Sequence, residues 1–202
     1  PIPDAALIVL AGSKATIADL GFLRAEGWDV DILAHHRRGR PVLGLCGGYQ
    51  MLGRSIADPH GIEGPPGTVA GLGLLDVETV LGGDKTLVEV RGEALGAPFA
   101  GYEIHLGRTS GADTARPVGR LADGRPEGAT STDGLVAGSY VHGLLGLAAQ
   151  RAAWLARVGV AARGPDHAGD VDAALDEIAA TLETHVDLDA VLAIARNAIT
   201  PV

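Results

Sequence analysis

Cys46 is the only cysteine in the 202-residue chain, and it stands between an apolar run and two glycines in LGLCGGYQMLG. The residues before it predict a buried strand, and those after Gly48 predict a helix. A sharp strand-to-helix turn needs small residues and lifts one side chain above the sheet edge. A lone cysteine is most often an inert, buried residue. In a turn of this kind, a nucleophilic thiol and an inert residue are about equally well supported.

Two effects at such a turn suit acyl transfer. The start of a helix carries partial positive charge, which favours a thiolate at Cys46. The backbone N–H of Gly47 points near the sulfur, where it can bind the oxyanion that develops during acyl transfer. A thiolate nucleophile also needs a proton-transfer partner, which is usually a histidine.

Two of the seven histidines suit that role. His105, in GYEIHLGRT, and His142, in GSYVHGLL, each end a strand-like run. Ligands gather at the carboxyl ends of strands in an open parallel sheet, so the residues by themselves do not choose between the two. The other five lie in a basic helix, a Pro/Gly loop or the tail, and we expect them to be solvated: His35, His36, His60, His167 and His185.

The elements that must position these residues alternate between strand and helix. AALIVLAG and RPVLGLC predict buried strands, and periodic segments predict helices at 13–28, 29–39 and 48–56. Ser13 or Thr16 is the expected N-cap of the first helix. This order implies right-handed crossovers and a parallel sheet covered by helices.

The second half of the chain predicts strands joined by turns, among them KTLVEVRGE and a hairpin at Asp133-Gly134. Antiparallel strands are therefore expected beside the parallel ones. From Leu147 the composition changes to Ala, Leu, Asp and Glu, which predicts amphipathic helices. We expect an α/β core over residues 1–147 and a helical tail over 148–202.

The composition narrows the partners and the compartment. The net charge is −9 with neutral histidines, and the only basic run is 35–40, which argues against a nucleic-acid surface. A single cysteine excludes an internal disulfide framework and a Cys-rich zinc site, and it fits a reducing compartment, so we expect a cytoplasmic location. No segment approaches the ~18 apolar residues of a membrane span, so neither a membrane nor a metal is an expected partner.

Taken in order, GLCGGYQMLG, GYEIHLGRT and GSYVHGLL, with AGSKATIADL near the start, resemble the glutamine amidotransferase domain of cobyric acid synthases. That domain is similar to the class I, triad-type glutaminases. The match runs from about Ala6 to Leu147, and four motifs in order are far more specific than any one of them. The resemblance implies an α/β, flavodoxin-like, three-layer fold with a mostly parallel sheet, some antiparallel strands and a helical C-terminal tail.

The resemblance also implies catalytic roles. Cys46 attacks the side-chain amide of L-glutamine, forms a γ-glutamyl thioester and releases ammonia. His142 acts as base and then as acid, because it stands where the family's catalytic histidine falls. The N–H of Gly47 forms one arm of the oxyanion hole, and the backbone around Gly12 and Ser13 forms the other.

Four more residues are expected near the substrate. Gln50, one helical turn after the nucleophile, is expected in the glutamine pocket, with a solvated side chain as the alternative. GYEIHLGRT is expected to line the same region or the ammonia exit through Tyr102, Glu103 and His105, for which a packing role is the alternative.

The chain departs from the class I pattern at two places. Many of these glutaminases have a glutamate two residues after the catalytic histidine, where this chain has Leu144. The pair then acts as a Cys–His dyad, or another carboxylate such as Glu103 orients the ring. Ala11 stands where related chains often have proline.

Cobyric acid synthases are also expected to carry an N-terminal ATP-dependent synthetase domain, yet the phosphate-binding motif G-x-x-x-x-G-K-[ST] does not occur in this sequence. We therefore expect a fragment of a longer protein, short of some N-terminal strands. This domain then needs no cofactor of its own. ATP, Mg²⁺ and the corrinoid substrate belong to the synthetase domain, whose peripheral corrin carboxylates are amidated with the ammonia.

Three other functions stay open. A stand-alone glutaminase subunit that amidates a cell-wall lipid precursor, lipid II, shares CGGYQ. A non-catalytic interaction domain of the same fold fits the missing glutamate, although the retained Cys46 and His142 argue against it. A redox-sensing thiol predicts oxidation without glutamine turnover.

Overall fold

The computed structural model describes residues 1–83, 87–162 and 164–198, and for residues 197 and 198 it describes the backbone only. They fall into two compact units, Pro1–Arg163 and Gly164–Val202. The start of the KTLVEVRGE prediction and the end of the tail lie outside the described residues. The helices are α1 (Thr16–Ala25), α2 (Trp28–Arg37), α3 (Gly47–Leu52), α4 (Ala148–Ala156), α5 (His167–His185) and α6 (Leu188–Ala198). The strands are β1 (Ile8–Leu10), β2 (Val42–Leu45), β3 (Ser55–Asp58), β4 (Gly67–Ala70), β5 (Glu78–Val80), β6 (Val88–Ala94), β7 (Ala97–Glu103), β8 (Arg108–Ser110), β9 (Gly119–Leu121), β10 (Pro126–Glu127), β11 (Ala129–Thr130), β12 (Val136–Ser139) and β13 (Val141–His142).

Parallel strands form the centre of the first sheet, in the order β1-β2-β12-β11. β1 and β12 both run parallel to β2, and β11 is added antiparallel to β12. The β11–β12 connection is the hairpin predicted at Asp133-Gly134, where Gly134 takes a φ of 73°. The mixed α/β class with parallel and antiparallel strands, expected from the sequence, is confirmed.

Helices cover this sheet because its strands are apolar on both faces. Val42 of β2 belongs to one core cluster, together with Leu20 of α1 and Ile32 of α2. The next residue, Leu43, belongs to the opposite cluster, together with Trp154 of α4. Successive side chains of a strand point to opposite faces, so the β2 sequence requires cover on both sides. This burial holds the strand that leads into Cys46.

The other two sheets contain most of the antiparallel pairing. One has the order β10-β9-β6-β7-β13, and the other has the order β4-β3-β5-β8. The chain passes from the five-stranded sheet to the first sheet at Gly128, whose φ is 70°, and returns at Tyr140. These two crossings lie side by side and bring the ends of β2, β12 and β13 together.

Two local predictions are wrong. The third helix ends at Leu52 instead of residue 56, because the next residues pair as β3. Neither Ser13 nor Thr16 is the N-cap of α1, whose N-cap is Ala15. The cap bond to this helix comes from a distant loop instead: the Ile17 N–H donates to the Glu63 carboxylate at 2.9 Å.

The expectation of a solvated His35 is also wrong. Its ring is buried in α2, with Nε2 3.0 Å from the carbonyl oxygen of Pro41. Burial lowers the pKa of His35, so the ring is neutral at neutral pH. His36 is half-buried and contacts the Asp133 carboxylate at 2.7 Å.

The second unit consists of α5 and α6, whose apolar residues stay exposed where the side chains are described. The break between the two helices falls at residues 186–187. α4, which the sequence assigned to the tail, packs within the first unit through the buried Trp154. Among the helices that the structure describes, none combines the length and the hydropathy of a membrane span.

Candidate active site

Cys46 occupies the sharp turn between β2 and α3. Its backbone has φ 52° and ψ −111°, in a region that costs a non-glycine residue roughly 1–3 kcal/mol. The neighbouring glycines make the turn possible, because a Cβ on Gly44 would lie 2.6 Å from the Gly48 carbonyl oxygen, and a Cβ on Gly48 would overlap the Leu10 carbonyl. The sharp strand-to-helix turn predicted from the glycine pattern is present.

His142 reaches the same place from β13. A Cβ built on Gly12 would lie 3.5 Å from both the Cβ of Cys46 and the Cε1 of His142, so one small residue separates thiol and ring. The Nε2 atom of His142 is buried and has no hydrogen-bond partner among the described residues. Unpaired buried ring nitrogens are uncommon, and a bound substrate amide would supply the missing partner.

A cavity of about 490 Å³ opens over this pair, and its walls come from the loop after β1, the strands β6 and β7, and the two candidate catalytic residues. The β-ladder aligns Glu89 with Tyr102 and Tyr102 with His142, so these three side chains form one row across β6, β7 and β13. The lining residues are Ser13, Lys14, Cys46, Leu87, Glu89, Tyr102, Ile104 and His142.

A larger cavity of about 660 Å³ lies beside β1, but its lining contains neither Cys46 nor His142. It is mostly apolar, with Phe22 and Trp28 among its walls. Volume alone therefore does not identify the site, and the smaller cavity is the one that Cys46 and His142 both line.

The two predicted arms of the oxyanion hole are adjacent. Gly47 begins α3, where the first amides of a helix have no preceding carbonyl to bond. A Cβ on Gly47 would lie 2.9 Å from the backbone nitrogen of Ser13, so the two chain segments touch. The Ser13 hydroxyl is engaged locally, because it donates to Asp19 at 2.5 Å and accepts from the Ala15 N–H at 2.9 Å.

Gln50 lies in α3, one turn after Cys46. Its side chain is buried, so the solvated alternative is wrong. Its oxygen accepts from the Thr16 hydroxyl at 3.2 Å, and its amide nitrogen donates to the Leu106 carbonyl at 2.9 Å and the Tyr140 hydroxyl at 3.3 Å. The residue therefore ties α1, α3 and the loop after β7 together, and it is absent from the described lining of the Cys46 cavity.

The three residues of GYEIHLGRT that were predicted near the substrate do not all face the cavity. Tyr102 faces the cavity and stacks on His142, with ring centroids 5.0 Å apart and planes 8° apart. Glu103 pairs in register with Val141, on the opposite face, and its carboxylate lies 3.6 Å from the Arg125 guanidinium. Glu103 therefore does not orient the His142 ring.

His105 belongs to the far side as well. Its ring stacks on Tyr140 at a centroid distance of 3.7 Å, and burial lowers its pKa. Between the two histidines, only His142 shares the described cavity lining with Cys46. The backbone next to His105 does approach Cys46, because Ile104 has its carbonyl oxygen 3.6 Å from the Cys46 sulfur.

Two further observations concern carboxylates. Leu144 is buried in the second core cluster, so the position of the usual third residue is used for packing. Glu127, which the sequence analysis missed, is buried directly behind the strand crossing that precedes His142. The only signal in the sequence was a charged residue between Pro126 and Gly128, which normally marks an exposed turn.

Comparison with known proteins places the chain in a family. It matches the CobB/CobQ-like glutamine amidotransferase domain over residues 1–149. It is 66% identical to the cobyric acid synthase of Rhizorhabdus wittichii over 97% of this chain and 41% of that protein. It is 62% identical to the cobyric acid synthase of Novosphingobium aromaticivorans over 96% of this chain and 40% of that protein. The chain thus spans about two-fifths of the length of these curated relatives.

Two solved structures have the same fold. A glutamine amidotransferase crystal structure covers 77% of this chain and 80% of its own, with a TM-score of 0.53 and 18% identity. PurLQS from Thermotoga maritima covers 70% of both chains, with a TM-score of 0.50 and 21% identity. The match over residues 1–149, and the elbow cysteine and histidine on one cavity, lead to the same conclusion. The chain belongs to the family of CobB/CobQ-like glutamine amidotransferase domains.

Proposed function

We propose that this chain is the glutaminase part of a cobyric acid synthase, and that it supplies ammonia for the ATP-dependent amidation of corrin side-chain carboxylates. The observation that carries the glutaminase is that Cys46 and His142 line one cavity, with Gly12 adjacent to both of them. The corrinoid specificity rests on the 66% identity to a named cobyric acid synthase.

His142 takes the proton of the Cys46 thiol, the resulting thiolate attacks the amide carbon of glutamine, and a carbon–sulfur bond forms. The carbon–nitrogen bond of the resulting tetrahedral oxyanion then breaks, and His142 gives the leaving nitrogen the proton that completes ammonia. Water attacks the γ-glutamyl thioester next, with His142 accepting a proton. The carbon–sulfur bond breaks, and glutamate leaves with the thiol restored.

The amides of Gly47 and of residues 12–13 stabilise the oxyanion in both steps. Each such donor is worth roughly a factor of 10²–10³ in rate where it has been removed from other hydrolases. The donors are backbone groups held by packed glycines, so they need no rearrangement when the charge develops. No third side chain is required for this chemistry, and the pair acts as a dyad.

Two opposite charges at the cavity suit the other end of the substrate. Free glutamine carries an α-ammonium and an α-carboxylate, and the charged side chains in the described lining are Lys14 and Glu89. We assign Lys14 to the carboxylate and Glu89 to the ammonium. Glu89 shares its cross-strand row with Tyr102 and His142, so this places the substrate along the row with its amide at Cys46.

ATP and Mg²⁺ belong to the synthetase part of the longer protein. The phosphate-binding motif is absent from this sequence, and the described residues contain no cluster of three metal-binding side chains. The two activities are separable in the full-length protein. With Cys46→Ser there, glutamine-dependent amidation of cobyrinic acid a,c-diamide should stop while amidation with added ammonium chloride continues.

The glutaminase itself is tested by labelling with 6-diazo-5-oxo-norleucine, followed by intact-mass measurement and peptide mapping. We expect one adduct at Cys46, prevented by excess glutamine and lost in His142→Ala. His60→Ala is the matched control, because His60 is exposed and absent from the described lining of the Cys46 cavity. A folded chain that stays unlabelled by this reagent, while iodoacetamide modifies Cys46, would point to the non-catalytic domain.

A further inference from the structure

A buried carboxylate sits at the crossing between two sheets, behind the candidate active site. Glu127 is only 3% exposed, at the end of β10 and next to the Gly128 crossing. One of its oxygens accepts from the Tyr140 N–H at 2.7 Å, and the other accepts from the Ser139 hydroxyl at 3.0 Å. Both donors lie on the return crossing from β12 to β13.

This crossing connects directly to the nucleophile and the base. The Cys46 N–H donates to the Ser139 carbonyl at 2.8 Å, so the strained elbow is tied to the same residue. The Ser139 hydroxyl also accepts from the Val141 N–H at 3.1 Å, and His142 is the next residue. Through the bonds of residues 139–141, Glu127 is therefore linked to the backbone of Cys46 and to the backbone next to His142.

Neither of the two carboxylate positions considered from the sequence serves His142. The family position for one is Leu144, which is buried among apolar side chains, and Glu103 faces away on the other side of its strand. We infer that Glu127 is the positioning residue of this glutaminase: its carboxyl group holds residues 139–141 so that Cys46 and His142 keep a reactive geometry. The inference rests on the proposed glutaminase function.

The position of Glu127 is unfavourable for a carboxylate that serves only to stabilise the fold. Burial raises the pKa of Glu127 to about 7, while the bonds from Tyr140 and Ser139 oppose that rise. Glu103, Tyr49 and Tyr140 share with it a third cavity, of about 190 Å³, and the negative charge of Glu103 adds to the cost of ionising it. Uncharged residues of the same shape would be cheaper to bury, so stability alone does not favour a carboxylate.

The test is Glu127→Gln, which keeps the shape and removes the charge. In glutaminase assays with the whole chain, we expect kcat to fall about tenfold or more and KM to change less than about twofold, since small displacements of reacting groups cost rate. The rate of 6-diazo-5-oxo-norleucine labelling at Cys46 should fall in parallel. The melting temperature at pH 8 should not fall, which separates positioning from loss of fold. Glu93→Gln is the matched control, an exposed glutamate in the same sheet.

A second variant protects the test from a folding defect. Ser139→Ala removes one of the two bonds to Glu127 and the acceptor of the Val141 N–H, and it leaves the carboxylate bonded to Tyr140, so it should lower kcat in the same direction. Unchanged kcat in Glu127→Gln, or a loss matched by an equal loss of folded protein in both variants, would overturn the inference. A wild-type chain that shows neither turnover nor labelling overturns the proposed function as well, so the two failures are distinguishable.

Discussion

Tyr102 and His142 are direct cross-strand partners, and their rings stack almost in parallel 5.0 Å apart. The ring of His142 therefore has a fixed plane without a carboxylate beside it. Tyr102 is 41% exposed and lies at the cavity wall, where its ring is accessible to the substrate as well. A stacked aromatic pair of this kind contributes roughly 0.5–1.5 kcal/mol beyond area burial.

The stack predicts that Tyr102→Leu lowers kcat about threefold to tenfold, because the His142 ring gains freedom. Tyr102→Phe keeps the ring and should retain most of the activity. Steady-state glutaminase kinetics of the two variants measure the difference. Equal losses in both variants would show that the hydroxyl, and not the ring, is what matters.

The three bonds of Gln50 predict a positioning effect instead of a binding effect. Gln50→Met fills the same space but leaves the Leu106 carbonyl and Thr16 hydroxyl without this partner, which should reduce the free energy of unfolding by about 1–3 kcal/mol. Urea unfolding measures this loss, and kinetics should show a lower kcat. If stability is unchanged and only KM rises, Gln50 contacts glutamine as the sequence suggested.

The close approach of Gly48 to Leu10 predicts that the elbow tolerates no larger residue. In Gly48→Ala the new methyl overlaps backbone, which flexible side chains cannot relieve, so the free energy of unfolding should fall by more than about 3 kcal/mol. Gly21→Ala is the matched control within α1, with no atom within 4 Å of the new Cβ, and it should stabilise the chain by up to about 1 kcal/mol. Thermal unfolding of the two variants measures these changes. A Gly48→Ala variant as stable as the wild type would contradict the close contact between Gly48 and Leu10.

The raised pKa of Glu127 predicts a pH dependence of stability. Its value rises from 4.5 to about 7 on folding, so the folded state holds the proton more tightly. The resulting stability is fully present below pH 4.5 and is lost as the pH rises through 7, by about 3 kcal/mol at most. The free energy of unfolding, measured with urea, should fall more between pH 5 and pH 8 for the wild type than for Glu127→Gln. Parallel curves for the two proteins would show that the carboxylate is solvated.

The charges assigned to the substrate ends predict changes in KM. Glu89→Gln and Lys14→Met should each raise the KM for glutamine about fivefold to fiftyfold, with kcat changed far less, since both act on groups remote from the reacting amide. For γ-glutamyl substrates that lack the α-ammonium, the difference in KM between wild type and Glu89→Gln should be smaller. An unchanged KM in both variants would move the zwitterion to another part of the cavity.

The elbow at Cys46 is encoded in local residue patterns. Strand, glycine, cysteine and glycine are adjacent in the chain, and the steric need for small residues acts between near neighbours. The same holds for the hairpin at Asp133-Gly134, whose turn chemistry is local. The residues alone left His105 and His142 equivalent, and only the resemblance to a family separated them.

Tertiary structure decided what depends on register and burial. The pairing of β7 with β13 places Tyr102 beside His142 and turns Glu103 to the other face, because successive residues alternate across a strand. Glu63 caps α1 from 46 residues away, a bond that no local pattern encodes. Glu127 looks like an exposed turn residue in the sequence, and only the meeting of two sheets buries it against Ser139 and Tyr140. The sequence by itself determined the sharp turn at Cys46, and long-range packing determined which groups surround it.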